Sequence, residues 1–519
     1  MSGRYLLAML GIDFGTTRTV VAFPDRGSYP VVGFETDDGD VFDGIPSLVA
    51  LAGGELVYGF SAAEAAAAGA PVLRSLKRRL SRPELAPDDV VELGGQEYRL
   101  VDLLTGFLTE VRRLLAVSST LPEALVGDWV AAVAIPAHSL STARFLTLEA
   151  FTGAGFDVRR VLHEPSAAGF EYSHRYARTL SSRRHEVLVY DLGGGTFDAS
   201  LIDVDDTHHS VRATSGDPHL GGDCFDDVLV ELVLDQAELA RADLSPAELD
   251  RLTEDARLAK EQLHPNSRRL LLHLRDVDHT LEVADFYAAC APLLDRALAA
   301  AAPLVRGLSS GESRDSSVAG LHLVGGASRL PIVARSLRES FGRRVHRAPQ
   351  PHASTAIGLA IALDPDRGFS LEETLGHGLG VYREEAAGAD IVFDVIVPSD
   401  SPASAALAAP IVRRYRAQHT VGVYRLVEFS RLDEQGFPIG TYQTLATIRF
   451  PLDPALTVAE AQDAPVRQAG PGAEITESYR LEPDGSFAVT LRNEESGAEL
   501  LERFSPTALS DSRREPPQS

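Results

Sequence analysis

Two glycine-rich turns, each entered from an apolar strand that ends in aspartate, lie about 180 residues apart and constrain this chain more than any other feature. The first is Leu10-Gly11-Ile12-Asp13-Phe14-Gly15-Thr16-Thr17, followed by the strand-like Thr19-Val20-Val21-Ala22-Phe23. The second is Val187-Leu188-Val189-Tyr190-Asp191-Leu192-Gly193-Gly194-Gly195-Thr196-Phe197-Asp198, followed by Ala199-Ser200-Leu201-Ile202. Both read as β-hairpins. Their tight turns need glycine, because a Cβ would stop backbone N–H groups from curling around an anion. The pairing points to a duplicated domain that grips one polyphosphate from two sides. Asp13 and Asp191 are then free to hold a hydrated Mg²⁺ between them.

A chain of 519 residues is long enough for two or more domains. Its net charge of −25, with no basic block, excludes a role that neutralises nucleic-acid phosphates in bulk. Two cysteines, Cys224 and Cys290, give no disulfide framework and fit a reducing cytoplasm. The first strand begins within a few residues of Met1, leaving no room for a signal peptide, and the Ala-rich runs at 62–72 and 297–303 read as helices rather than membrane spans. Of 49 basic residues only Lys77 and Lys260 are lysine. Genomic base composition accounts for such a bias, yet a surviving lysine marks a place where a point-charge ammonium suits better than a guanidinium fork.

Strand-like and helix-like segments alternate through the first two thirds of the chain. Residues 5–23, 31–51 and 55–60 read as β-rich, 61–80 and 100–117 as helical, and Val130–Pro136 as a buried strand. A helix is expected over about 141–155, the second hairpin over 186–204, and mainly helix over 222–263. Leu321–Val324 forms a further strand before Gly325-Gly326, with helices around 332–341 and 353–363. Strands feeding helices in two similar halves indicate an α/β domain made by duplication. After Asp364-Pro365-Asp366-Arg367-Gly368 the pattern becomes short β runs at 391–397, 420–429, 444–450 and 486–491, separated by Pro, Gly and Asp. The expected organisation is therefore an α/β domain over 1–367, a linker over 368–373, a β-rich domain over 374–505 and a disordered polar tail over 506–519.

Five motifs in this order resemble those of the 70-kDa heat-shock chaperone (DnaK) family. They are Gly11–Thr17, His163-Glu164-Pro165-Ser166-Ala167-Ala168, Asp191–Asp198, His219-Leu220-Gly221-Gly222-Asp223, and Val324-Gly325-Gly326-Ala327-Ser328-Arg329-Leu330-Pro331. The resemblance implies a two-lobed, actin-like (ribonuclease H-like) ATPase domain followed by a β-sandwich that holds extended polypeptide segments. It implies ATP/ADP and Mg²⁺ as ligands and phosphoryl transfer to water, a chemistry of positioning and charge stabilisation. Asp13 and Asp191 then hold Mg²⁺ through its waters, while Gly15, Thr16, Thr17, Gly193, Gly194, Gly195 and Thr196 cradle the phosphates. Glu164 and Asp198 orient the attacking water; Glu164 before Pro165 also suits a helix start, but the surrounding motif favours the role on water. Gly221 and Gly222 are further nucleotide-binding positions, Gly325, Gly326 and Arg329 match the adenosine-binding turn, where the arginine packs on adenine, and Lys260 falls where the family keeps a ribose lysine. Pro136 and Arg144 match a proline–arginine relay, and Arg160 an arginine that engages J-domain co-chaperones. A nucleotide exchange factor is a further implied partner, with neither nucleic acid nor membrane.

Several positions depart from the pattern. The family's catalytic lysine is expected just after Leu56-Val57-Tyr58-Gly59, where this chain has Phe60-Ser61-Ala62-Ala63-Glu64, and Lys77-Arg78-Arg79 matches a separate basic patch better. The expectation is a missing positive charge and slow turnover. Glu261 stands where an arginine commonly stacks on adenine, and Ala327 replaces a serine. The linker Phe369–Leu375 is more polar than the family's, and no helical lid is expected after the β domain. Two rival readings follow: a nucleotide-switched scaffold that binds ATP and one partner without turnover, and a small-molecule kinase, since Asp-Phe-Gly-Thr-Thr turns also occur in sugar kinases.

Overall fold

The structure, a computed structural model, describes residues 8–82, 85–305, 317–385, 390–481 and 487–504. It divides into two compact units. One gathers Met1–Arg79, Val90–Ala137 and Leu148–Leu371, and the other Leu80–Asp89, His138–Thr147 and Glu372–Ser519. The tail expected over 506–519 lies outside the described residues.

The first unit is built on two mixed sheets with matching topology. In the first, β1 (Ala8–Phe14) and β2 (Arg18–Ala22) form an antiparallel hairpin, edged by β3 (Ile45–Pro46), while β4 (Trp129–Ile135) and β5 (Asp157–His163) follow in parallel; the order is β5-β4-β1-β2-β3. The second sheet repeats this scheme. Strands β6 (Glu186–Leu192) and β7 (Phe197–Asp205) form the hairpin and β8 (His208–Asp217) extends it. Strands β9 (Val318–Val324) and β10 (Val345–Arg347) follow in parallel, and β11 (Ser370–Glu372) closes the far edge, giving β10-β9-β6-β7-β8-β11. In each sheet, therefore, the hairpin lies beside a parallel strand supplied much later in the chain, as expected of a duplication. The central strand β4 is buried at every position, which explains its unbroken apolar run.

Five helices matter to the site: α1 (Ser141–Gly153), α2 (Glu164–Tyr176), α3 (Gly222–Gln236), α4 (Pro246–Glu261) and α5 (Ser354–Leu363). Helix α4 begins with a capping box in which the Ser245 hydroxyl accepts from the Glu248 N–H and Glu248 accepts from the Ser245 N–H. Helices α2 and α5 approach so closely at Gly358 that a Cβ there would stand 1.7 Å from the Ala167 carbonyl oxygen. The expected helix over 61–80 is corrected: a helix covers only Gly59–Ala67, then a short strand, Val72–Leu73, leads to a 3-10 turn at Leu76–Ser81. Ser75, at φ 52°, makes the sharp bend between them. Among the described residues no single helix is long and apolar enough to cross a membrane, although the bent pair Val283–Ala289 and Ala291–Val305 meets that test jointly.

In the other unit, β12 (Gly378–Glu385), β13 (Asp390–Val397), β14 (Ile411–Arg416), β15 (Val421–Leu432), β16 (Pro438–Pro451), β17 (Glu474–Leu481), β18 (Phe487–Asn493) and β19 (Glu499–Phe504) form two antiparallel sheets. Their orders are β13-β12-β15-β16 and β14-β17-β18-β19. Val381, Leu426 and Phe450 from the first sheet and Ile475, Tyr479 and Leu491 from the second enter one core. The β runs expected from alternation fall in β13, β15, β16 and β18, with Ser486 outside the described residues.

The edge strand β11 is held through Ser370, whose N–H donates to the Thr207 carbonyl oxygen (3.0 Å). Just before it, Phe369 closes over His209 of β8, with ring centroids 5.6 Å apart, and Phe170 of α2 stacks on the same imidazole at 4.6 Å. His209 is fully buried and, among the described residues, neither ring nitrogen has a hydrogen-bond partner. Burial, helped by neighbouring His208, pushes its pKa from 6.5 down to about 4. The unfolded chain therefore binds this proton more readily than the folded one, and stability should fall as pH drops from 6.5 towards 4. The loss attributable to His209 should reach roughly 3 kcal/mol. Denaturant melts of the His209→Leu variant at pH 7 and pH 4.5 should show a shallower acid decline than the parent; equal declines would refute this assignment.

Candidate functional site

The two hairpin turns face each other. A Cβ on Gly194 would stand 2.2 Å from the Thr17 hydroxyl oxygen, so the second turn can meet the first only as glycine. The Gly222 N–H donates to the Gly193 carbonyl oxygen (2.9 Å) and the Asp223 N–H to that of Gly194 (2.8 Å), which fixes the start of α3 against the same turn. Gly325, following β9, has φ 86°, and a Cβ there would come within 2.4 Å of an Asp191 carboxylate oxygen. Thus Thr16, Thr17, Gly193–Thr196, Gly221, Gly222 and Gly325 come together around the two turns. Gly15 closes the first turn, its N–H donating to the Asp13 carbonyl oxygen (3.1 Å).

Beneath the turns lie four carboxylates. Asp13 is on β1, Asp191 faces Asp198 across the β6–β7 hairpin, and Glu164 opens α2 ahead of Pro165. Asp191, Asp198 and Glu164 are buried. Thr196 hydrogen-bonds to Asp198, as does the backbone of Ala137, so Pro136 stands next to the cluster.

The structure places a lysine among these carboxylates, where the sequence reading expected a positive charge to be missing. The 3-10 turn at Leu76–Ser81 carries Lys77 inward to an ion pair with Glu164, only 7% of Lys77 remaining exposed. Burial alone would lower its pKa, but Glu164, Asp13 and Asp191 together raise it, so it stays an ammonium. Arg74, the first basic residue after Gly59, instead pairs with Glu254 (2.7 Å). Lys260 is also only 7% exposed, with its ammonium on Asp226 (2.6 Å) and the Gly222 carbonyl oxygen (2.8 Å). Both lysines of the chain are therefore buried around these turns.

One ammonium among four carboxylates leaves three negative charges if all ionise. Burial raises Asp13 to about 7, with Lys77 opposing and Glu164 reinforcing the rise; Asp198 is likewise raised to about 7 by burial and then by Glu164. Asp191 is pushed well up by burial and by Glu164, Asp198 and Asp13. Such a cluster favours a cation. Among the described residues no group of three His, Cys, Asp or Glu side chains could hold a metal unaided. The donor set thus fits a hard cation that keeps most of its waters and takes further oxygens from a phosphate, which is how Mg²⁺ behaves.

Other expected residues are peripheral. Arg329 is exposed at the end of the turn that follows Gly325 and Gly326, and Arg160 is exposed on β5. Arg144 lies on α1, its pKa lowered by burial against the opposing charge of Glu373. Glu261 is engaged by Arg18 and by Arg257 (2.8 Å), a pairing that no sequence motif announced.

Opposed glycine turns over a buried, cation-seeking carboxylate cluster define a class of phosphate-handling α/β protein. Comparison with known proteins makes the assignment specific. A family model described as Hsp70 protein matches residues 9–374. The chain is also 30% identical over 525 residues to a protein from Bordetella petrii named chaperone protein HscA homolog, covering 97% of this chain and 79% of that relative. The chain belongs to the Hsp70 family.

Proposed function

We propose that the chain is an ATP-hydrolysing chaperone whose actin-like domain binds ATP and Mg²⁺ between the two hairpins and whose β-sandwich domain holds extended polypeptide segments. The observation that carries the reading is Lys77. Its ammonium sits against Glu164 with Asp13 and Asp191 close by, where it can stabilise charge on a transferring phosphoryl group. Backbone N–H groups of both turns cradle the phosphates, and Thr16, Thr17 and Thr196 add hydroxyls. Asp13 and Asp191 hold the hydrated Mg²⁺, which when bound neutralises phosphate charge. Glu164 and Asp198 orient the attacking water. Lys260 and Gly325, Gly326 and Arg329 form the adenosine side. In the β unit, backbone groups of the strands hold an extended peptide; Arg160 engages a J-domain co-chaperone, Pro136 and Arg144 relay the nucleotide state, and a nucleotide exchange factor is a further partner. The presence of Lys77 favours turnover over a scaffold that merely binds ATP.

Single-turnover hydrolysis of bound ATP, with and without an extended apolar peptide, tests the reading. Hydrolysis accelerated by peptide is the expected result. Tight binding without turnover would replace the ATPase by the scaffold, and no ATP binding would overturn both.

A further inference from the structure

Behind the site, on the far turns of α2, lies a buried carboxylate–imidazole pair that the chemistry above does not use. Glu171 is 1% exposed and His322 of β9 wholly buried, yet the His322 Nε2 lies 2.8 Å from a Glu171 carboxylate oxygen. The other carboxylate oxygen accepts from Arg175 Nε (2.9 Å), and Ser354 at the start of α5, whose hydroxyl donates to the Gln350 carbonyl oxygen (3.3 Å), also lies against Glu171. Burial would raise the Glu171 pKa, but these donors outweigh it and hold the group below its ordinary value. The carboxylate is thus the acceptor, Nε2 carries the imidazole proton, and the buried Nδ1 has no hydrogen-bond partner among the described residues. Tyr172 and Tyr176 wall the imidazole edge-on, at 5.2 and 6.1 Å between ring centroids. His346 packs on the same two tyrosines.

This cluster joins the three elements that position the site. Helix α2 begins with Glu164, seven residues and about two turns before Glu171, so both side chains lie near one face. Strand β9 runs three residues past His322 into the Gly325 turn that abuts Asp191. Helix α5, which carries Ser354, packs on β1, the strand of Asp13: a Cβ on Gly11 would stand 2.3 Å from the Ala356 carbonyl oxygen. Elsewhere α2 and β9 meet through apolar residues such as Ala168, Tyr172 and Val324. Apolar contact is tolerant of small slides, whereas a desolvated carboxylate–imidazole hydrogen bond is not, and burying the pair brings little net stability.

We propose that Glu171 and His322 are positioning residues, a clasp that fixes α2 against β9 and so sets Glu164 relative to Asp191 and the Gly325 turn. The inference rests on the proposed reading of that site as the place of ATP hydrolysis.

The test compares the full chain with Glu171→Leu/His322→Leu, which removes both partners together and avoids stranding a buried charge, and with His322→Gln, which keeps a donor. The double variant should melt close to the parent and bind ADP within about threefold, yet hydrolyse bound ATP roughly 10- to 100-fold more slowly. His322→Gln should retain most of the rate. Without nucleotide, hydrogen exchange of the double variant should rise over 164–170 and 325–330. Parental hydrolysis, or unchanged exchange in those segments, would overturn the clasp and leave the pair as core filling. Should the parent itself neither bind nor hydrolyse ATP, the reading of the site fails, while the exchange measurement still decides the clasp.

Discussion

Lys77→Met is expected to slow single-turnover ATP hydrolysis by about 10²–10³-fold, the usual cost of removing one preorganised charge stabiliser. Lys77 is the one ammonium that offsets Asp13, Glu164 and Asp191, and its pair with Glu164 is buried. Methionine keeps the apolar stem against Phe14, whose ring lies 5.8 Å from the ammonium, so the change removes charge more than volume. Binding of ATP should weaken far less, because backbone N–H groups of two turns remain. With the ammonium gone, Asp13 and Asp198, already raised to about 7, should hold protons more firmly and limit the damage to the fold. Lys260→Met provides the contrast. Its ammonium belongs with Asp226 and Gly222, so the principal effect should fall on nucleotide affinity. Parental turnover in Lys77→Met would show that the transferring phosphoryl group is stabilised elsewhere.

The hairpins were legible because aspartate, glycine and threonine at a turn leave few alternatives, and their repetition foretold the matched sheets. Lys77 was misread for an equally physical reason. Counting onward from Leu56–Gly59 assumes a continuous helix, whereas the chain leaves the helix at Ala67, bends at Ser75 and delivers the lysine from a later 3-10 turn. Its partner lies 87 residues away, beyond any local pattern. The same holds for His322, which within Leu321-His322-Leu323-Val324 looks like an interruption of a buried strand, and for His209, whose aromatic cover comes from Phe170 and Phe369. In the β unit, alternation located four of the eight described strands, and the partners of Arg383 depend on how the two sheets pack.

That packing leads to the second large effect. Arg383 of β12 makes a two-pronged bond to Glu477 of β17 (2.9 and 2.7 Å), joining the two sheets, and also donates to Asp394 (2.7 Å). Glu477 is fully buried and accepts additionally from the Tyr479 hydroxyl (2.6 Å). Burial works against the charged guanidinium, but Glu477 and Asp394 more than compensate and raise the Arg383 pKa. Arg383→Met would leave the Glu477 carboxylate buried with its cation removed, and should destabilise the β unit by about 3–5 kcal/mol. Arg383→Met/Glu477→Met should recover most of that loss, since apolar side chains of similar size can replace a buried pair at little cost. Because two units unfold without needing to do so together, the measurement must be local. Hydrogen exchange in β12 and β17 of Arg383→Met should rise by roughly 10²–10³-fold, while the fluorescence of Trp129, the chain's only tryptophan, should report an unaltered first unit. Unchanged exchange in β17 would mean that the fork contributes no stability. Failure of the double variant to recover would mean that the fork specifies how the sheets pack, a role that apolar volume cannot take over.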